Sequence, residues 1–348
     1  MDEASALAFL AGANVVHLAS STEAGEPVLR VVHAVVVDGW LLFHGAPAGE
    51  KMDVIGRRAV VSVEETVASI PSYFVDPERA CPATTFYRSV QLHGMITRID
   101  DAHLKAAMLA QLMTKHQAEG GHVPITYEHP LYRKAIDGVL VLGIKCDAID
   151  GKAKLGQNRT PAELSRIIEL LWKRGLSGDP RAVQIVLDAN PRVPRPDFLQ
   201  APEGVRLYCA LGERDADEAM EMLRPTYWQE DTKPETIRRS LLGSTAWVGA
   251  RDERGRLVAM ARAMSDGAKL AWIYDVIVVD ERHRRGLGTA VVRLLLDHPA
   301  VRGVDRIVLN TRDAQGFYER FGFRTREVST DSRLSQMIFV RTNAALQV

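Results

Sequence analysis

Apolar residues come in short runs along the first 150 positions of the chain. Val15-Val-His-Leu-Ala-Ser20 reads as a strand, and Pro27 to Val37 stays apolar up to Asp38-Gly39, after which Trp40-Leu-Leu-Phe-His44 returns. Asp-Gly between two such runs signals a two-residue hairpin, because both central positions must adopt positive φ. Residues 59–65, 87–98 and 138–145 predict three more strands. Helices are predicted over 51–57 and 101–115, the second capped by Asp100-Asp101. Regularly spaced strands with few helices predict a small antiparallel barrel.

From residue 160 the period changes. Thr160-Pro161-Ala-Glu163 combines a cap, a first-turn proline and an early acid, while Ile167, Ile168, Leu170 and Leu171 mark an apolar face. A second helix follows Asp179-Pro180. Asn190 to Pro202 carries four prolines and no apolar period, which predicts an extended linker. The expected division is a barrel with a helical tail over 1–190, a linker over 191–203 and a second domain over 204–348. There, early helices are expected at 223–228 and 236–242, and a hairpin from 246–250 and 257–263 around Asp252-Glu-Arg-Gly255.

At 348 residues and 46% hydrophobic content the chain has material for about two cores. Lys plus Arg equal Asp plus Glu at 44 each, so no net field recruits nucleic acid or a membrane surface. Cys81, Cys146 and Cys209 are scattered, as reduced thiols would be. The N-terminus lacks the basic start of a signal peptide and no apolar run reaches membrane-span length, so the expected location is the cytoplasm. His33, His44 and His93 fall on strands, and none of the histidines has metal-ligand spacing, so no metal is expected.

The sharpest chemistry lies between Asp275 and Thr289. A β-branched strand ends, Arg282-His-Arg-Arg285 follows, and Gly286-Leu-Gly288 opens a helix. Unpaired N–H groups at a helix start, the helix dipole and close-approach glycines together suit a pyrophosphate. A dinucleotide loop would need glycine at Val291, and a Walker loop would need Gly-Lys-Ser/Thr, so neither fits. The segment resembles the Arg/Gln-x-x-Gly-x-Gly/Ala loop of the GCN5-related N-acetyltransferases (GNAT). Downstream, Ala314-Gln-Gly-Phe-Tyr318-Glu-Arg-Phe-Gly-Phe323 is similar to that family's Ala-x-x-x-Tyr-x-x-x-Gly-Phe signature. Two departures stand out: His283 replaces the family's basic or Gln residue, and Thr311 replaces an Asn.

This resemblance implies acetyl-coenzyme A as donor to a small-molecule primary amine. Val276, Ile277 and Val278 would hydrogen-bond pantetheine through their backbone. His283, Arg284, Arg285, Gly286, Leu287, Gly288 and Thr289 would wrap the pyrophosphate. Tyr318 would protonate the leaving thiolate as general acid. Asp275 stands where a base could take the ammonium's proton, or where a strand aspartate could simply order its neighbours. Tyr227, Trp228 and Trp272 could stack on the acceptor or belong to the core. No acidic run marks a polyamine site.

In the first half, Phe43-His-Gly-Ala46, Gly49-Glu-Lys51, Tyr87-Arg-Ser-Val90 and Lys154-Leu-Gly-Gln-Asn-Arg159 resemble the pyridoxamine 5′-phosphate oxidase-like split barrels, of the nitroimidazole-resistance and FMN-binding negative-regulator kinds. That resemblance implies FMN at a homodimer interface. Lys51 would pair with its phosphate, Arg30, Arg88 and Ser89 would add phosphate or ring contacts, and His44 would face the isoalloxazine. Asn158 and Arg159 would close the site. The plainer alternative makes Lys51 and Arg88 solvated charges. The expected whole is α+β: an antiparallel split β-barrel of the FMN-binding type followed by a mixed α/β GNAT domain. The leading function is N-acetyl transfer. An FMN-dependent oxidoreductase with an auxiliary transferase domain, or a non-catalytic flavin or coenzyme A sensor, are the alternatives.

Overall fold

A computed structural model describes residues 1–49, 51–326 and 335–340. It divides into two compact units, Met1–Thr66 with Phe86–Lys154, and Val67–Thr85 with Leu155–Val348.

The first unit is built on antiparallel strands. In chain order it contains α1 (Glu3–Gly12), β1 (Val16–Ser21), β2 (Pro27–Val32), β3 (Val35–Val37), β4 (Trp40–Gly45), β5 (Arg58–Ile70), β6 (Thr84–Ile99), α2 (Ala102–His116), α3 (Pro130–Gly138), β7 (Leu140–Lys145) and β8 (Ala148–Lys154). The strand order is β2-β1-β5-β6-β7-β4-β3, with β8 on β6. The Asp-Gly hairpin forms as expected: Asp38 and Gly39 have φ of 50° and 79°, and Val37 pairs with Trp40. Phe43, Val61, Val90, Leu142 and Ile144 fill the core. Three elements differ from the sequence pattern. Residues 51–56 form turns rather than a helix, because Gly49 and Gly56 take left-handed φ on either side. The helices α1 and α3 were not foreseen; α1 is capped by Asp2, and α3 by the His129 ring with Pro130 in its first turn.

The second unit contains α4 (Pro161–Arg174), α5 (Asp179–Ala189), β9 (Val205–Tyr208), α6 (Ala216–Leu223), α7 (Pro234–Leu242), β10 (Ala246–Asp252), β11 (Leu257–Ser265), β12 (Leu270–Val278), α8 (Leu287–Asp297), α9 (Pro299–Arg302), β13 (Arg306–Thr311), α10 (Gln315–Glu319), β14 (Arg324–Thr325) and β15 (Ser335–Val340). The sheet runs β14-β15-β13-β12-β11-β10-β9. Only β12 and β13 pair in parallel among its described ladders. The expected helix at 223–228 is displaced: α6 ends at Leu223 and the chain turns from Arg224, since Pro225 cannot continue a helix.

The expected boundary at 190 also differs. Both tail helices belong to the second unit. Thr160 and Glu163 form a reciprocal capping box on α4, and Gly175 ends it in a left-handed conformation. The Trp172 indole N–H donates to Asp297 on α8 at 2.7 Å, and Arg302 donates to the last-turn carbonyls of Trp172 and Lys173. The proline-rich stretch is no free linker. Val193 and Leu199 are buried, and Phe198 stacks on Trp172 at 4.3 Å with the rings 3° from parallel. Fixed φ at four prolines lets an apparently unpatterned segment lie as a strap across a helix face.

Candidate functional site

The site begins with an irregularity in β12. Met260 pairs with Ile277 but Arg262 with Tyr274, so β12 carries one extra residue against β11. Asp275 sits there at φ 50°. A bulge of this kind bends its strand and re-aims side chains. On its other edge β12 pairs with β13 only from Leu270 to Trp272. Beyond that point the strands part, leaving the edge of Val276 and Ile277 open to a guest.

The loop after β12 lies at the mouth of this notch. Arg284 and Gly286 take positive φ, 58° and 77°, which turns the backbone sharply into α8. Ala290 is the first residue whose N–H is accepted inside the turn, by Gly286 at 3.0 Å. The N–H groups of Leu287, Gly288 and Thr289 therefore face outward, as at any helix start. A Cβ on Gly288 would stand between Val278 and Phe317, at 3.5 and 3.6 Å, and take up the space above the loop. Arg282, Arg284 and Arg320, the last over the Phe317 ring, line the channel without an ion-pair partner among the described residues, so its rim is cationic. His283 is used differently from expectation: its Nε2 bonds the Val278 carbonyl at 2.8 Å and pins the loop to the strand end. That carbonyl is thereby taken by the chain itself.

Thr311 takes the place of the family's Asn. Its hydroxyl accepts the N–H of Ala314 at 3.1 Å and starts α10. The helix carries Tyr318, which is buried against Phe317 and Phe323. Burial, aided by nearby Tyr227, pushes its phenol above the ordinary tyrosine range. Tyr318 stands where two cavities meet. One, about 570 Å³, runs along Val276 and Val278 to the Gly286–Thr289 loop. The other, about 400 Å³, is bounded by Tyr227, Trp228, Trp272, Tyr274 and Asp313. Val276, Ala314 and Tyr318 line both.

Asp275 is not a free carboxylate. Arg262 donates to its Oδ2 at 2.6 Å, while the Trp228 indole and the Gln229 amide donate to its Oδ1 at 3.0 and 3.2 Å. The Arg262–Asp275 pair is buried on both sides. Both oxygens are thus committed to holding Arg262, Trp228 and Gln229, as the plainer alternative of an ordering aspartate expects. The sequence reading missed Arg262 and Gln229. The signal was an arginine inside the apolar run Leu257–Ala263, a position that calls for a buried counter-charge.

The barrel residues are less gathered. His44 and Lys51 do meet: burial, then the charges of Lys51 and His33, hold the His44 imidazole below its usual range. The Lys51 side chain lies across Gly45, where a Cβ would collide with it. Arg30 is on β2, with its guanidinium on the Leu29 carbonyl at 2.6 Å. Arg88, on β6, is paired with Glu65 and covers the Phe9 ring. It is thus neither the solvated charge of the plain reading nor an uncommitted phosphate ligand. Ser89 is half-buried opposite Lys152. Asn158 and Arg159 fall in the second unit, where Arg159 offers its carbonyl to Arg192. Among the described residues no three His, Cys, Asp or Glu side chains converge as metal ligands, and no helix is long and apolar enough to cross a membrane.

The strand notch, the N–H-lined loop and the two cavities all lie between residues 227 and 320. Residues 216–323 match the acetyltransferase (GNAT) family model, and residues 2–153 match that of pyridoxamine 5′-phosphate oxidase. The chain thus joins a pyridoxamine 5′-phosphate oxidase-like barrel to a GNAT domain. It is 38% identical over 96 residues to GCN5-related N-acetyltransferase 1, chloroplastic, of Arabidopsis thaliana, covering 27% of this chain and 46% of that protein. It is 38% identical over 93 residues to serotonin N-acetyltransferase 2, chloroplastic, of Oryza sativa, covering 26% and 46%. The chain spans about half the length of these relatives. The solved flavocytochrome Anf3 from Azotobacter vinelandii is 18% identical with a TM-score of 0.35, covering 44% of this chain and 67% of that one.

Proposed function

We propose that the second unit transfers acetyl from acetyl-coenzyme A to a small-molecule primary amine. The observation that carries this reading is Tyr318, buried and protonated at the junction of a phosphate-suited channel and a separate aromatic cavity. The loop N–H groups of Leu287 to Thr289 and the surrounding guanidiniums hold the pyrophosphate. The open edge of Val276 and Ile277 aligns pantetheine, bringing the thioester to Tyr318. The neutral amine attacks the thioester carbonyl, a C–N bond forms, and the C–S bond breaks. The Tyr318 phenol gives its proton to the departing sulfur and recovers one from solvent, while the ammonium's protons leave through water rather than Asp275. Tyr318→Phe keeps the ring packing and removes only the hydroxyl. It is expected to lower kcat about 100-fold with little change in KM, followed by thiol release at pH 8. Unchanged kcat would reject the acid role.

A second reading concerns the barrel, and the Lys51–His44 corner over Gly45 favours it. A fixed ammonium beside a close-approach glycine fits a flavin phosphate, so FMN is the proposed ligand, with a barrel homodimer as its setting. Bound flavin would supply hydride-transfer chemistry. Lys51 would hold its phosphate and His44, kept neutral, would stand beside it. The expected result is FMN uptake by the purified chain, weakened about tenfold by Lys51→Met in an equilibrium titration. No uptake by the unsubstituted chain rejects this reading.

A further inference from the structure

The acceptor cavity has an unusual wall. Among the described residues four large aromatic side chains are exposed, and three of them, Tyr227, Trp228 and Tyr274, line this one cavity at 37%, 41% and 40% exposure. Trp272 completes the wall, stacked with Tyr274 at 6.1 Å. Arg312 lies over the Tyr227 ring at 3.6 Å and Arg262 over the Tyr274 ring at 4.9 Å, so the apolar area left in water is that of Trp228 and the outer sides of the two tyrosines, which a ligand would bury. The charged lining is spare. Arg262 and Asp275 neutralise each other, and Asp313 faces Arg312 at 3.9 Å. At about 400 Å³ the cavity is near the low end for small-molecule sites.

We infer that the acceptor is an arylalkylamine, a flat aromatic ring bearing a primary amine on a short chain. This inference rests on the acetyl-transfer reading and specifies its substrate class. Offset or edge-on stacking on Trp228 and the outer side of Tyr274 takes the ring. Before it is deprotonated, the ammonium is attracted by the same π faces. The lining argues against two other classes. A sugar phosphate would need an uncommitted cation in the pocket, whereas Arg262 is bound to Asp275 and Arg312, beside the pocket, is held over Tyr227 and next to Asp313. A polyamine would need several carboxylates along its length, and besides the committed Asp275 the lining holds Asp313 alone, which itself faces Arg312 at 3.9 Å.

The full chain with acetyl-coenzyme A, followed by thiol release, separates these possibilities using 2-phenylethylamine, tryptamine, cadaverine and glucosamine 6-phosphate. The two arylalkylamines are expected to have kcat/KM at least about 100-fold above the other two. Tyr274→Leu should raise KM for 2-phenylethylamine about tenfold, while leaving KM for butylamine and the Kd of acetyl-coenzyme A unchanged. Equal or better turnover of cadaverine or glucosamine 6-phosphate overturns the inference and leaves acetyl transfer standing. An equal rise in both amine KM values overturns it too. Absence of acetyl-coenzyme A binding, by calorimetry, together with no thiol release from any amine would instead overturn the acetyl-transfer reading beneath it.

Discussion

Asp275 carries two oxygens that are both occupied, one by Arg262 and one by Trp228 and Gln229. Its left-handed backbone and its side chain serve the same end: they fix the bulge and tether the 224–232 segment beside the acceptor cavity. Asp275→Asn leaves Arg262 buried without a counter-charge, and is expected to cost about 3 kcal/mol of stability in a denaturant titration. It should also raise the acceptor KM, while kcat at saturating amine falls less than about tenfold. A general base would instead lose on the order of 100-fold in kcat. The residue's place on the strand could be read from the chain, but its partners could not. Arg262 lies on the neighbouring strand and Trp228 and Gln229 in a turn, so only the fold brings them to one carboxylate. Tyr318 was easier to read, because its signature is local and its aromatic neighbours lie within five residues.

The loop between β12 and α8 depends on two glycines in different ways. Gly286 has φ 77°, where a side chain is strained. Gly286→Ala is expected to cost about 1–2 kcal/mol and to weaken acetyl-coenzyme A binding about tenfold by misdirecting the N–H groups. Gly288→Ala meets only ordinary contacts at 3.5 Å and beyond. It should leave thermal stability nearly unchanged yet also weaken binding, since the added methyl occupies the cradle. Calorimetric titration beside a melting curve separates the two effects. Legibility followed a similar divide among the elements. The Asp38-Gly39 hairpin and the capped α4 were plain in the sequence because each carries its own turn or cap chemistry. α1 lacked a clear apolar stripe, being nearly uniformly apolar, and α3 was hidden by its histidine cap. The 51–57 segment looked helical until the flanking glycines fixed its turns.

For the molecule as a whole, the two-part plan was legible and the join was not. Four prolines and no apolar period resemble a tether, and nothing local reveals that Phe198 has a ring waiting on α4. The second unit therefore includes α4, α5 and the strap. His298 sits buried beside them, edge-on to Trp172 at 5.6 Å, and accepts the Ala300 N–H at the start of α9. Burial, with Arg302 nearby, lowers its pKa from 6.5 to about 4. The unfolded chain thus binds a proton near 6.5 that the folded unit refuses until about 4. This contribution to stability is complete above the unfolded value and is lost as pH falls toward 4, by roughly 3 kcal/mol. His298→Asn keeps a capping acceptor and removes the titration, so its unfolding free energy should lose that slope between pH 6.5 and 4. A parallel slope in both proteins would refute the assignment. The same Trp172, face-on to Phe198 and edge-on to His298, has an optical consequence. An imidazolium quenches the emission of an indole it touches, so acidification should dim Trp172 near pH 4, and strap release should redden it as the indole meets water. The colour and brightness of one side chain then distinguish a charged joint from an opened one.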